Sequence, residues 1–306
     1  MRRGRASWTA QGVAFFRALE SKLPEDERAC FDPLAKDFLG FWLRMVCRSR
    51  LRTRVARVYV ANMRSGRSAP FIASRTGFID DWLKRCIDEG FDQMVILGAG
   101  YDSRAYRFAD LAGWTRVFEV DHPATQKRKA RTVRRVLGSM PEHVTYVPVD
   151  FEHRKLEEGL LESGYDPEAK TLFIWEGVTV YLTPEAVDET LSFMARNSGE
   201  GSFLVFDYVY QAYLDGQVEG AAEWRTYLEK RGEPPVFGIE EGAAGDFLSR
   251  RGFRLVEDVP DCALKHEYLR ATDSGKRVSL RAPAHGGICT SVNAGTFRSA
   301  PLSASE

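Results

Sequence analysis

Five short features of this chain carry side chains whose type and spacing suit a nucleoside-type ligand. The segment Gly98-Ala99-Gly100-Tyr101-Asp102-Ser103-Arg104 follows an apolar run, and glycines at such a turn let a ligand approach the backbone closely. About twenty residues further on, Glu119-Val120-Asp121 ends the next apolar run. A carboxylate at Asp121 can accept both hydroxyls of a ribose. Asp150 ends a third run, where a carboxylate can take an adenine amino group. Glu176 closes Thr171-Leu172-Phe173-Ile174-Trp175, and a charge there is costly unless it has a partner or faces a cleft. Arg75 interrupts the apolar stripe of a helix, and an inward guanidinium needs a carboxylate, either a ligand's or an acid of the chain such as Asp80. Each feature alone has a plainer use: a tight turn at the glycines, helix capping at Asp121 and Asp150, a structural ion pair at Arg75. Their joint order favours the ligand.

The elements that must position these residues alternate. Apolar runs at Met94–Leu97, Arg116–Val120, Val144–Val149, Thr171–Trp175 and Ser202–Phe206 read as strands. Helical stretches at about 123–137, 153–162 and 184–196 separate them. This predicts an α/β fold, a doubly wound and mostly parallel sheet covered on both faces. Four of the features then sit at the carboxyl ends of successive strands, where ligands bind open sheets. The first ninety residues look helical, with a helix start at Asp32-Pro33 and a long helix near 70–89 that Gly90 stops. The region 208–238, with Tyr208, Tyr210, Tyr213, Trp224 and Tyr227, reads as an insertion forming a lid or substrate wall. A helix at 239–250 and segments near 253–259 and 286–293, paired antiparallel at one edge, complete the sheet. The expected domains are a cap at 1–90, a core at 91–294 and a flexible tail at 295–306.

The ligand's identity follows from the turn. A dinucleotide fingerprint wants a third glycine where Ser103 stands, and the acid Asp102 is electrostatically wrong for a pyrophosphate. S-adenosylmethionine has an adenosine, no phosphate and a cationic sulfonium, so an acidic turn suits it. A nicotinamide-dependent oxidoreductase and a catalytically silent cofactor-binding module are the competing readings. No metal-ligand spacing stands out.

Across 306 residues the 43 basic and 43 acidic side chains cancel, which gives no electrostatic argument for nucleic acid or an anionic membrane surface. The apolar stretch Phe38–Cys47 is too short to span a bilayer. Five widely spaced cysteines without a CxxC point to a reducing, cytoplasmic location. The arginine-bearing first nineteen residues read as an N-terminal arm.

Ser74-Arg75-Thr76, Ile79-Asp80, the glycine segment 95–104, Phe118-Glu119-Val120-Asp121-His122-Pro123, and Trp175-Glu176-Gly177-Val178 with Tyr181-Leu182 occur in an order that resembles the leucine carboxyl methyltransferase family. The likeness covers about residues 30–210 and is nearest to the bacterial S-adenosylmethionine-dependent O-methyltransferases, polyketide carboxyl methyltransferases among them. The resemblance implies a seven-stranded methyltransferase sheet, its last strand antiparallel, under an N-terminal helical cap. It implies that Arg75 holds the cofactor carboxylate, that Gly98 and Gly100 pass under its methionyl part, and that Asp121 binds the ribose. It puts Asp150 and Phe151 at the adenine and Glu176 beside the methionyl amino group, with Lys22 and Lys36 as candidates for a contact from the cap. The acceptor is expected to be a small-molecule carboxylate or hydroxyl, with a protein C-terminal carboxylate as the alternative. A carboxylate needs no base but needs a cationic or hydroxyl clamp, for which Arg104, Tyr181 and Tyr208 are the candidates.

Overall fold

The computed structural model describes residues 8–62, 69–113, 115–149, 154–269 and 285–293. Its seven strands are β1 (Gln93–Leu97), β2 (Arg116–Asp121), β3 (Val144–Pro148), β4 (Thr171–Trp175), β5 (Phe203–Val209), β6 (Phe253–Pro260) and β7 (Gly286–Asn293). They lie in one sheet in the order β3-β2-β1-β4-β5-β7-β6. β1 to β5 are parallel, while β7 runs antiparallel between β5 and β6. This is the seven-stranded sheet anticipated above, with the expected antiparallel pair at one edge.

The apolar runs are near-continuous because both faces are covered. Val95, Leu97, Phe118, Val120, Phe173, Trp175, Leu204 and Phe206 belong to one buried cluster. Met94, Ile96, Val117, Leu172, Ile174 and Val205 belong to another. The alternation has the period of two that sends successive side chains to opposite faces. On the first face α8 (Pro184–Arg196) packs Val187, Leu191 and Met194; Thr183 caps it and Pro184 takes its first turn. On the second face α4 (Ala69–Asp88) packs Ile79, Leu83 and Cys86. Between β2 and β3 lies α6 (Pro123–Leu137), whose first turn is capped by His122.

Ahead of the sheet stand α1 (Trp8–Glu20), α2 (Phe41–Cys47) and α3 (Arg50–Asn62). Ala14, Ala18, Leu19, Phe38, Leu39 and Cys47 form their shared core, which reaches Tyr101 and Val133 of the sheet domain. No strand occurs among the described residues before β1. At Asp32-Pro33 the expected α-helix is replaced by a 3-10 turn, Ala35–Phe38. Asp32 still caps, accepting the N–H groups of Leu34 and Ala35, but its other oxygen is held by Arg17.

Two expected boundaries move. β5 continues to Val209 because Asp207, Tyr208 and Val209 pair with Ile288, Gly287 and Gly286, so the irregular region begins at Tyr210 rather than 208. That region holds α9 (Gln211–Leu214) and α10 (Ala221–Glu229), with the Tyr213 ring tilted at 44° against Trp224. The helix expected at 239–250 contracts to α11 (Ala244–Ser249), and that at 153–162 to α7 (Leu156–Glu162). The tail 295–306 lies outside the described residues. No helix among the described residues is long and apolar enough to cross a membrane.

Candidate active site

Strand order reverses between β1 and β4, and the pairing registers fix what stands there. Leu97 is level with Val120 and Trp175, and Trp175 is level with Phe206. The next residues along, Gly98, Asp121, Glu176 and Asp207, therefore form one row across four strand ends.

Arg75 and Arg104 cross this row. From α4, the Arg75 Nε donates to Glu176 Oε1 at 3.0 Å, and its Nη1 donates to Asp207 Oδ2 at 2.6 Å. Arg104 opens a short helix, α5 (Arg104–Arg107), at the end of the glycine segment. Its Nη1 donates to Glu176 Oε2 at 2.7 Å and to Asp102 Oδ2 at 2.5 Å, and its Nε to Asp80 Oδ1 at 2.8 Å. Arg107 adds a pair to both oxygens of Asp80, at 2.6 and 2.7 Å. Asp207 Oδ1 accepts the Gly177 N–H at 2.6 Å, which ties β5 to the turn after β4. Burial works against the Glu176 carboxylate, but Arg104 and Arg75 outweigh it and hold it below the usual range. Asp102 is likewise held low by Arg104 against its burial.

Three arginines thus meet four carboxylates, and Asp121, held among the described residues by backbone N–H groups alone, adds to the negative excess. S-adenosylmethionine, with a sulfonium, an ammonium and a carboxylate, carries a net positive charge and fits a site of that sign. The backbone supports the same fit. Gly177 has φ +70°, and a Cβ there would stand 3.4 Å from Arg75 Nη2 and 3.5 Å from Nη1. Its absence leaves room beside the guanidinium, whose Nη2 lies 2.9 Å from Glu176 Oε1 and whose Nη1 pairs with Asp207, each Nη keeping a second N–H. Gly98, at φ +62°, lies so close to Val178 that a Cβ would come within 2.3 Å of its Cγ2. Gly100 donates its N–H to Asp121 Oδ2 at 2.5 Å, while His122 donates its own to Oδ1 at 2.6 Å. Burial raises the Asp121 pKa, and these two N–H groups oppose the rise.

The row brings Arg75, Gly98, Gly100, Asp121 and Glu176 together. Asp150, Phe151 and His153 lie outside the described residues. The three clamp candidates separate. Four of the five Arg104 N–H groups are committed, the fourth to the Thr76 carbonyl at 3.4 Å, so it is a frame for the carboxylates rather than a clamp. The Tyr208 hydroxyl is turned to Asp258 of β6, donating at 2.9 Å, because Tyr208 is a core residue of β5. Tyr181, in the 3-10 turn Thr179–Tyr181, remains within electrostatic reach of Arg75 and Asp207.

Three participants escaped the sequence reading. Asp207 lies within β5, just past the apolar run, whose end at Phe206 falls three residues short of the strand's end at Val209. Arg17 donates to the Tyr101 carbonyl at 2.5 Å and pairs with Asp32 at 2.9 Å, so the cap touches the glycine turn through an arginine. The signal was a charge on the small-residue face of α1, between Ala14 and Ala18. Lys129 of α6 reaches Glu119 Oε2 at 2.8 Å and the Ala99 carbonyl at 3.2 Å, bracing the turn from below.

The sheet order is that of a Rossmann-like fold, and the family and relatives that follow make the protein a methyltransferase that uses S-adenosyl-L-methionine. The family description "Leucine carboxyl methyltransferase" matches residues 10–195, and the chain belongs to that family. A Streptomyces coelicolor protein named "Putative S-adenosyl-L-methionine-dependent methyltransferase" is 36% identical over 235 residues, 74% of this chain and 78% of the relative. A Mycobacterium protein (strain JLS) of the same name is 36% identical over 265 residues, 80% of this chain and 83% of the relative. Among solved structures, magnesium protoporphyrin IX methyltransferase from Synechocystis aligns over 73% of this chain and 84% of its own, at 12% identity and a TM-score of 0.45.

Proposed function

We propose that the protein is a cytoplasmic O-methyltransferase acting on the carboxylate of a small, polyketide-like molecule. The observation that carries the acceptor is the state of the site's own acids. Glu176, Asp207, Asp80 and Asp102 are all held by arginines, with Glu176 and Asp102 kept below their usual range. His122 Nδ1 accepts the Ala124 N–H as a helix cap. A hydroxyl acceptor needs a base to take its proton, whereas a carboxylate arrives ionised.

When bound, S-adenosyl-L-methionine supplies an electrophilic methyl group on sulfur. Arg75 would hold the methionyl carboxylate through the Nη N–H groups that Glu176 and Asp207 do not take, and Glu176 the ammonium. Gly98 and Gly100 would leave room under the methionyl chain, and Asp121 would accept from the ribose. Asp150 and Phe151 are proposed for the adenine. Tyr181 would donate its hydroxyl to the acceptor carboxylate; burial raises its pKa, so it stays a donor. Alignment and exclusion of water are the remaining contributions, made by the cap, residues 1–90 in our division, and by the helices after β5. The cytoplasmic assignment rests on the five free cysteines.

The test is transfer of labelled methyl from S-adenosylmethionine to a panel of apolar carboxylic acids and their hydroxyl analogues. Product that releases its label in mild base is an ester and supports the carboxylate. Base-stable product overturns it. A C-terminal peptide acid in the same panel separates a small molecule from a protein acceptor.

A further inference from the structure

The zero net charge of the chain conceals a strong local excess. Between Asp37 and Asp80 there is no acidic residue, and nine arginines occupy that interval. Much of it is α2 and α3. On α3 one side is anchored: Thr53 is buried, Ala56 packs into the core of the N-terminal helices, and Arg57 pairs with Glu20 of α1 at 3.3 Å. The opposite side is apolar and faces out. Leu51, Val55 and Tyr59, spaced four residues apart, are 73%, 63% and 65% exposed. At 100° per residue, Arg52 and Arg54 fall on the two flanks of this stripe, and both are exposed. On the neighbouring α2, Trp42 is 81% and Phe41 67% exposed.

We propose that this face of the cap docks on an anionic phospholipid surface. An apolar stripe bordered by arginines, with aromatic residues beside it and no acid in its own stretch of sequence, is the composition of a helix that lies in the headgroup region. Lipid meets both halves of the surface at once: acyl chains take Leu51, Val55 and Trp42, and phosphates take the flanking arginines. A second copy of the chain fits less well, because a two-fold contact through this face sets arginine against arginine. A nucleic acid or acidic protein would satisfy the arginines and leave the stripe in water. The face is tied to the helix that touches the glycine turn, since α1 supplies both Glu20 to Arg57 and Arg17 to Tyr101. Docking would therefore set the cap against the surface without using any residue of the site itself.

The experiment is cosedimentation of the full chain with phosphatidylcholine vesicles, pure or containing about 30% phosphatidylglycerol. Two variants accompany it, Trp42→Ser/Leu51→Ser/Val55→Ser and Arg52→Gln/Arg54→Gln. All five positions point outward, so melting temperature and S-adenosylhomocysteine binding should match the wild type, which keeps this test separate from the methyltransfer reading. The expected result is binding to the anionic vesicles alone, weakened about tenfold or more by either variant and by about 0.5 M salt. No binding to anionic vesicles overturns the proposal. So does binding that the serine variant leaves intact, which would point to a polyanion. A concentration-dependent dimer in sedimentation velocity, abolished by the serine variant, overturns it in favour of a second copy.

Discussion

Glu119 and Glu176 both stand on parallel strands of one sheet, and each is met by cations reaching in from helices. Their environments differ in two respects. Glu119 is fully buried and faces one lysine, Lys129, itself 1% exposed. Desolvation dominates there, opposed by that lysine, and its pKa is pushed up to about 7. Glu176 is gripped by two guanidinium groups and is held low. A planar fork makes several directed bonds to a carboxylate, where an ammonium offers one compact charge. The first arrangement is closed on itself. The second carries a surplus of negative charge and has room beside Gly177. Buried ion pairs on one sheet thus divide into a brace and a binding site, and the surroundings, not the residue types, decide which is which.

The largest effect should come from breaking the brace. Lys129→Met leaves Glu119 without its cation, and removing one partner of a buried pair costs about 3–5 kcal/mol. Urea unfolding at neutral pH would measure the loss. Affinity for S-adenosylhomocysteine in the cold should change less than about threefold, an amount below 1 kcal/mol. Exchanging both residues, Glu119→Leu with Lys129→Met, should recover most of the stability. A single variant that stayed stable but lost cofactor affinity would reverse the comparison.

Next comes a pH dependence with a definite sign. Folding raises the Glu119 pKa from 4.5 to about 7, so between those values the folded state binds the extra proton. The contribution is fully present below the lower value and is lost as pH rises through the upper one. It amounts to about 3 kcal/mol at most. Wild-type stability measured against Glu119→Gln should therefore fall as pH rises from about 5 to 8, by a change on the order of 2–3 kcal/mol. A difference that stays flat would mean that Glu119 is ionised throughout and that Lys129 offsets burial completely.

Glu176→Gln sharpens the other half. It keeps the shape, removes the charge between Arg75 and Arg104, and should weaken cofactor binding about ten- to a hundredfold, or ~1.4–2.7 kcal/mol. Because Glu176 stays ionised, wild-type affinity should be level from about pH 6 to 8. Titration calorimetry on both proteins checks the two statements together.

What the sequence disclosed follows the same division. Gly98, Asp121 and Glu176 were legible because strand ends are marked by a change from apolar to polar, and the sheet's order makes those ends converge. Helices such as Pro123–Leu137 were legible because proline and a cap fix the start and glycine the end. Asp207 was not, since a carboxylate in mid-strand announces itself only when its arginine, 132 positions away, is known. Glu119 stood inside the quoted motif, but its partner Lys129 lies on a helix with many exposed bases, and only the packing singles it out. The end of β5 was misjudged because β7, the strand that pairs with Asp207–Val209, comes nearly eighty residues later. Long-range partners, rather than local propensity, account for each omission.

The smallest predicted effect is also the most specific to the open side of the site. Gly177→Ala adds one methyl group 3.4 Å from Arg75 Nη2, at a backbone position with φ +70°. An L side chain costs about 1 kcal/mol in that left-handed region, which lowers stability slightly. The new methyl also occupies the space through which a ligand carboxylate would reach Arg75. Cofactor affinity should then fall about fivefold to tenfold, roughly 1 kcal/mol beyond the backbone strain. Gly164→Ala is the control, because that glycine has φ +82° but lies beside Arg116, away from the row. Both variants should lose similar stability in urea, and only Gly177→Ala should lose affinity. Equal affinities in the two would mean that the cofactor carboxylate does not approach Arg75 across Gly177, and the opening beside that glycine would have to serve the acceptor.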